Sequence, residues 1–477
     1  MESSDRYQSP LQARYASRPM QELWSDRNRF TTWRRLWLAL AKGEQALGLD
    51  ITDEQIAALE ANLDNLDLEA ARTYEAKFRH DVMAHVHALG DQAPAARGII
   101  HLGATSQFVN CNTELIILRD ALTMLAGKVA RVVLALGTFA ETWKHLPVLG
   151  FTHYQPAQPT TVGKRATVWA QDFAMALEDI EHRVETMRFR GVKGATGTQA
   201  SFLALFDGDH DKVEELDRFV TEQMGWSADR RFPVTGQTYP RLLDAQILAS
   251  LALVASAAHR LATDVRLLAN RREVEEPFES TQIGSSAMAY KRNPMRSERI
   301  CALSRFVMNL PSNAYQTAAV QWFERTLDDS ANRRLVLPEA CLALDGTLDL
   351  LINITDGMIV HEPVITANLM SELPFMMTED LLMAAVQAGG DRQELHEAIR
   401  SHSMEAAGSV KQGGPNDLLD RLRTDEQFAG LDLETLADPG LFVGRAPQQV
   451  DHFIREVVDP IATRWSAAAT NQVELRV

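Results

Sequence analysis

Cysteine is scarce in this chain: three residues in 477, Cys111, Cys301 and Cys341, with no CxxC spacing. An odd number of thiols without paired spacing or neighbouring histidines excludes a disulfide framework and a zinc knuckle, and fits a reducing cytoplasm. Basic charge is also short, with 48 Lys and Arg against 64 Asp and Glu for a formal net charge of -16. Over most of the surface such a balance repels nucleic acid and anionic membranes, because binding a polyphosphate needs a broad basic face. A small anionic ligand needs only a local arginine cluster and is not excluded. The apolar uncharged stretch 245–258 falls short of the roughly 20 residues that span a bilayer, so no membrane segment is expected. The opening MESSDRYQSP lacks the basic and apolar regions of a secretory signal. Strand patterns are sparse, and no repeat or low-complexity tract is present.

What the chain does have is helical periodicity. Leu243, Ile247, Leu251, Val254, Ala258, Leu261, Val265 and Leu268 alternate steps of four and three with no Gly or Pro between them, the signature of a long helix with a narrow apolar seam. Leu115, Leu118, Leu122, Leu125, Val129, Val132, Leu136 and Phe139 repeat the pattern, with Asn112 placed as an N-cap. Further helices are expected over 161–187, 212–224, 297–320 and 332–359, separated by turn-rich stretches such as HYQPAQP and IGSSAMAYKRNP. Helices of this length cannot bury their seams alone, so an all-α architecture built on a central long-helix bundle is expected, with leftover seams pairing between subunits. Shorter helices flank it, giving domains at 1–110, 111–362 and 363–477. Near the C-terminus, Thr378 is expected to cap one helix, and Asp391 with Glu394 to form a capping box for the next.

Several segments could carry chemistry. The stretch 284–294, GSSAMAYKRNP, joins a Gly, two adjacent hydroxyls and the cations Lys291 and Arg292. A serine hydroxyl becomes a base only as an alkoxide held by cations and backbone N–H donors, which such a turn can supply. On composition alone the segment suits a solvated connector better than a catalytic element. His153 lies in GFTHYQPAQP, read as a proline-stiffened loop between helices. It can serve as a general acid if a carboxylate such as Glu298 orients it, and as a packing histidine otherwise. Arg79, His80 and Asp81 suit polar contacts to a substrate better than metal ligation, since His80, His85 and His87 lack the HxxxH spacing. WFERTLDDSANRR gathers Arg325, Ser330, Arg333 and Arg334, forks and a hydroxyl of the kind a phosphate monoester needs, or else surface ion pairs with the neighbouring acids.

Taken together, these segments resemble one family. GSSAMAYKRNP is similar to the GSSxMPxKxN loop of the fumarase/aspartase superfamily. SPLQARYAS, RHDVMAHVH, HLGATS, GFTHYQPAQPTTVGKR, TGQTYPR and QWFERTLDDSANRR resemble, within it, the animal-type adenylosuccinate lyase family, from about Ser9 to near the C-terminus. The resemblance implies a three-domain all-α subunit and a homotetramer with a shared central bundle, whose active sites are built from several subunits. It implies β-elimination of fumarate from adenylosuccinate, giving AMP, and from succinylaminoimidazole carboxamide ribotide, giving the aminoimidazole ribotide, with no cofactor or metal. Ser285 then matches the base that removes the Cβ proton, and His153 the acid oriented by Glu298. Lys291, Asn293, Thr105, Ser106 and Gln237 match the groups around the developing aci-carboxylate. Arg14, Tyr15, Arg325, Ser330 and Arg334 match the nucleotide and phosphate contacts, and Arg79, His80, Asp81, Thr152 and Arg299 other substrate contacts. One departure stands out: Ala289 occupies the place of the family's usual Pro. Without the fixed φ the loop has more conformational entropy to lose on closing, so a modest penalty in turnover is expected. The rival readings are a superfamily lyase for another succinyl adduct, such as argininosuccinate, and a catalytically silent protein on the same scaffold.

Overall fold

The computed structural model describes residues 6–279, 281–467 and 475. Five helices form its centre: α1 (Ser106–Thr142), α2 (Val162–Thr186), α3 (Leu242–Asn270), α4 (Met295–Asn309) and α5 (Asp329–Gly357). Every residue of the two periodic seams is buried, from Leu243 to Leu268 in α3 and from Leu115 to Phe139 in α1. At about 25 cal/mol per Å² of apolar area removed from water, these seams dominate the bundle's cohesion. The helices close a ring in which α1 packs on α2 and α5, α3 on α2 and α4, and α4 on α5.

Ion pairs fix the direction of each helix. Arg241 meets Asp329 at 2.7 Å and Arg333 meets Asp244 at 2.6 Å where α3 and α5 begin. Where they end, Val274 pairs with Val360, so the two helices run parallel. Glu114 with Arg333, Lys128 with Asp345 and Arg131 with Asp356 set α1 alongside in the same sense. α2 runs the other way, joined to α3 by Arg183 to Gln246 and Trp169 to Asp264. The bundle therefore has a lower end, where α1, α3 and α5 begin, and an upper end, where they finish. With 29 residues in α3, the ends lie about 43 Å apart at 1.5 Å per residue.

Four local expectations give way. Thr105, not Asn112, precedes the first helical residue of α1; Asn112 is fully buried, and its amide bonds both the carbonyl and the N–H of Gly191. The region 297–320 is two helices, because Pro311 has no N–H to offer the carbonyl of Val307 and opens a new helix, Pro311–Ala319. The proline-rich stretch after α1 is a β-hairpin, β1 (Pro147–Thr152) paired with β2 (Gln155–Thr161). Its edge positions tolerate Pro156 and Pro159 because a two-stranded ribbon leaves outward N–H groups unused. Near the C-terminus, Asp391 does cap its helix, accepting from the N–H groups of Gln393 and Glu394. Thr378 instead donates its hydroxyl to the carbonyl of Phe375 and is the first residue of its own helix.

The flanking regions differ in how they join the bundle. The helices Asp26–Ala46 and His210–Gln223 pack on each other and share the bundle's apolar core. A second apolar cluster, running from Met377 to Ala437, stands apart from it. The chain then returns, and Ala446–Phe453 packs on α1 and α2. Two helices, α1 and α3, are long and apolar enough to cross a membrane by length and composition, and both are mostly buried against their neighbours.

Glu44 is fully buried on Asp26–Ala46, and neither carboxyl oxygen has a hydrogen-bond partner. Burial pushes its carboxyl up to about 9. The folded protein thus keeps a proton that the unfolded chain releases above its ordinary range, and the associated stability is lost as pH rises toward 9. Between pH 7 and 9 the loss is about 2 kcal/mol. Glu44→Gln is expected to flatten thermal stability across that interval. On the acid side, burial lowers His85 and His101 to about 4 and raises Asp349 to about 6, so their contributions oppose one another.

Candidate active site

At the lower end a cavity of about 810 Å³ opens between α1, α5 and the N-terminal helices, and Arg79, His80, Asp81, Ser106, Arg325, Ser330 and Arg334 all line it. Their positions follow from local structure. Arg79 ends the helix Leu68–Phe78 in the left-handed region, φ 55°, turning the chain so that the next helix starts at Asp81. His80 caps that helix, its Nδ1 accepting from the N–H of Met83 at 3.3 Å, which requires an unprotonated Nδ1. Arg334 reaches back to Asp81 at 3.1 Å. Ser330 and Arg334 are four residues apart on α5 and so share a face.

Arg325 sits 3.4 Å from Asp329, and burial holds its guanidinium below the usual arginine range. Its Nη1 is buried without a hydrogen-bond partner. A cation so placed gains from a second anion. Thr105 and Gln237 lie beside the cavity, the Gln237 amide donating to the Thr105 hydroxyl at 3.4 Å.

Arg333 also borders the cavity, but its donors are already committed. It is turned into the bundle, where Asp244, Glu114 and Tyr239 take its donors, so it braces α1, α3 and α5 rather than facing a ligand. Spacing explains the split: Arg333 and Arg334 are adjacent on a helix and point about 100° apart. Other lining residues carry no sequence signal, among them Trp24, Arg29, Trp33, Glu114 and Arg241. They are scattered from position 24 to 241, and no spacing links them.

At the upper end stands the serine loop. Ser285 Oγ accepts from the backbone N–H of Ala287 at 3.3 Å and of Met288 at 3.2 Å, donors of the kind that stabilise an alkoxide. Gly284 is required here, because a Cβ would fall 2.2 Å from the carbonyl oxygen of Lys291. The Asn293 amide donates to the Gly284 carbonyl at 2.8 Å and closes the loop's neck. Below it, Glu276 accepts from the N–H groups of Arg296 and Ser297, and Arg296 also donates to the Pro277 carbonyl and pairs with Glu279. The loop is stapled at its base while Ser286, Ala289, Tyr290 and Lys291 remain exposed.

The hairpin tip carries His153. Thr152 pairs with Gln155, and the two residues between them, His153 and Tyr154, have φ of 55° and 57°. Two successive left-handed residues make the turn that suits a two-residue hairpin, normally filled by Asn and Gly. Holding a His and a Tyr there costs of order 1 kcal/mol each, and it presents the imidazole at an exposed tip. Among the described residues neither His153 nor Glu298 has a side-chain hydrogen bond, and one chain does not join them.

Arg14 and Tyr15 form a third group. The Tyr15 backbone lies against Gly346, and the N–H of Ser17 donates to Asp345 at 2.6 Å. That places them about 24 Å along α5 from Ser330. Arg299 stacks over the Tyr15 ring at 5.6 Å. One chain therefore assembles the cavity residues at its lower end and Arg14, Tyr15 and Arg299 further up. It presents Thr152, His153, Ser285, Lys291, Asn293 and Glu298 at or near its upper end. Among the described residues, no group of His, Cys, Asp and Glu is arranged to hold a metal ion.

Comparison with known proteins follows the same lines. Residues 13–309 match the family described as Lyase, and residues 374–453 match the one described as Adenylosuccinate lyase C-terminus. The chain is 54% identical to adenylosuccinate lyase of Saccharomyces cerevisiae over 465 residues, 96% of each chain. It is 51% identical to that of Schizosaccharomyces pombe over the full length of both. Among solved structures, 3-carboxy-cis,cis-muconate lactonizing enzyme from Pseudomonas putida superposes with a TM-score of 0.79 at 23% identity, covering 95% of this chain and 99% of that one. Fumarate lyase from Mesorhizobium sp. BNC1 gives 0.77 at 24%, covering 93% and 99%. At that identity the likeness is one of fold.

Proposed function

The chain belongs to the adenylosuccinate lyase family, and on that premise we propose that it releases fumarate from adenylosuccinate, giving AMP, and from succinylaminoimidazole carboxamide ribotide. The observation that carries the reading is the lower cavity, where arginines and a serine far apart in sequence converge. Bidentate guanidinium contacts with a hydroxyl are what a phosphate monoester requires. A lyase for argininosuccinate, which has no phosphate, gives Arg325, Ser330 and Arg334 no such partner.

In the proposed reaction Ser285, as an alkoxide held by the N–H groups of Ala287 and Met288, takes the Cβ proton of the succinyl group. The electron pair first moves into the adjacent carboxylate, an aci-carboxylate stabilised by Lys291, Asn293, Thr105, Ser106 and Gln237. It then forms the fumarate double bond as the C–N bond breaks. His153 gives its proton to the departing nitrogen, and Glu298 orients the imidazole.

A nucleotide monophosphate cannot bridge about 43 Å. The site is therefore completed between chains, with the upper end of one subunit meeting the lower end of another that runs antiparallel to it. Exposed apolar side chains along the bundle, Leu242, Leu253 and Leu335, offer the surface for such packing, and a homotetramer is the assembly proposed. The three cysteines, each buried and unpaired, suit a reducing compartment such as the cytoplasm. Incubating the purified protein with adenylosuccinate and following AMP and fumarate formation tests the reading; no product would refute it.

A further inference from the structure

Arg14 and Tyr15 sit on a turn too short to hold its own shape. Leu11–Tyr15 is five residues long, and a single helical turn fixes its dihedrals for little hydrogen bonding in return. What fixes it is α5. Asp345, fully buried, accepts from the N–H of Ser17 on Oδ2 at 2.6 Å and from Lys128 of α1 on Oδ1 at 2.5 Å. One residue on, Gly346 lets the chain lie against the helix: a Cβ there would fall 2.6 Å from the Tyr15 carbonyl oxygen and 3.2 Å from the Tyr15 Cβ. Glycine inside a helix costs about 1 kcal/mol relative to alanine, so its place in α5 answers to this contact. From the other side the Gln21 amide donates to the Ala16 carbonyl at 2.9 Å and closes the turn.

The backbone is thus pinned while the Arg14 side chain stays exposed, an arrangement that presents a charged head without committing it to the fold. Arg299, one residue after Glu298 on α4, lies over the Tyr15 ring at 5.6 Å, so the pinned turn stands beside the residue proposed to orient His153. Asp349 supplies a contrast. It lies one turn further along α5 and pairs with the same Lys128, but among the described residues no hydrogen bond joins it to the turn. On the nucleotide reading proposed above, in which Arg14 and Tyr15 contact the substrate, we infer that Asp345 and Gly346 are positioning residues for substrate binding. They act through Arg14 and Tyr15, setting where these two meet the nucleotide and its phosphate. A displacement of the turn by the space of one methyl group moves both contacts together, and precise placement of such groups is what binding energy depends on.

The test is steady-state cleavage of adenylosuccinate by the whole oligomer. Gly346→Ala is expected to raise KM by about fivefold or more with kcat within about twofold, the split that marks lost ground-state binding, although alanine favours the helix. Asp345→Ala is expected to do the same, and Asp345→Asn, which keeps an acceptor for Ser17, to raise KM less. Asp349→Asn, which alters the Lys128 pair without reaching the turn, is expected to leave KM unchanged. Because both residues act through the turn, the effect of Gly346→Ala should shrink in an Arg14→Gln background. A wild-type KM in Gly346→Ala and Asp345→Ala, whatever their kcat, would overturn the inference. So would an equal rise in Asp349→Asn, or an effect that adds in full to that of Arg14→Gln. If Arg14→Gln itself leaves KM unchanged while the unmodified protein cleaves adenylosuccinate, the inference falls and the lyase reading stands. If the unmodified protein does not cleave it, the lyase reading has failed and takes the inference with it.

Discussion

Ser285→Ala is expected to lower fumarate release by about 10²- to 10⁴-fold, the loss that follows removal of a positioned base, with the oligomer and its melting temperature unchanged. The structure gives the reason for both halves. Among the described residues, the Ser285 hydroxyl accepts only from the N–H groups of Ala287 and Met288 in its own loop, so no packing depends on it. The loop's shape is held elsewhere, by Gly284, by the Asn293 amide and by Glu276 at the stem. Substrate affinity should survive, since the phosphate is proposed to be held at the other end of a neighbouring chain. Near-normal turnover in Ser285→Ala would assign the base elsewhere. His153→Ala belongs to the same class, because the exposed hairpin tip contributes nothing to the core.

The cavity arginines predict a different failure. Each charge-assisted contact to a phosphate contributes about 1.5–3 kcal/mol, so Arg325→Gln with Arg334→Gln is expected to weaken substrate by 10²-fold or more, seen as a raised KM. Neither change removes a bracing residue. Among the described residues, Arg325 and Arg334 each have one carboxylate partner, Asp329 and Asp81, whereas the bundle is tied through Arg333 and Arg241. Arg333→Gln would instead leave Asp244 short of its buried partner and reduce stability, a contrast that separates the ligand-facing arginines from the structural one.

Much of this was legible in the sequence, for identifiable reasons. The seams of α1 and α3 repeat at heptad spacing over more than twenty residues, a signal that tertiary context rarely overrides. The serine loop and the arginine cluster were found because each is contiguous. What stayed hidden depended on contacts between distant segments. The hairpin around His153 reads as a loop because prolines mask its alternation. Asn112 resembles a cap until Gly191 is brought against it. Arg333 and Arg334 look equivalent as letters and diverge only once α5 places one against Asp244. Trp24, Arg29 and Trp33 have no motif at all, and only the cavity groups them with Arg334.

In the proposed assembly one active site takes its base from the upper end of one chain and its phosphate cradle from the lower end of another. The most direct test mixes Ser285→Ala, which lacks the base, with the Arg325→Gln, Arg334→Gln double variant, which has the raised KM, by co-expression or by unfolding and reassembly. Shared sites predict recovery of about a quarter of the wild-type sites at equal mixing, with wild-type KM, because that fraction joins an intact loop to an intact cradle. Hybrid oligomers no more active than their parents would contradict it and place both halves of the site on a single chain.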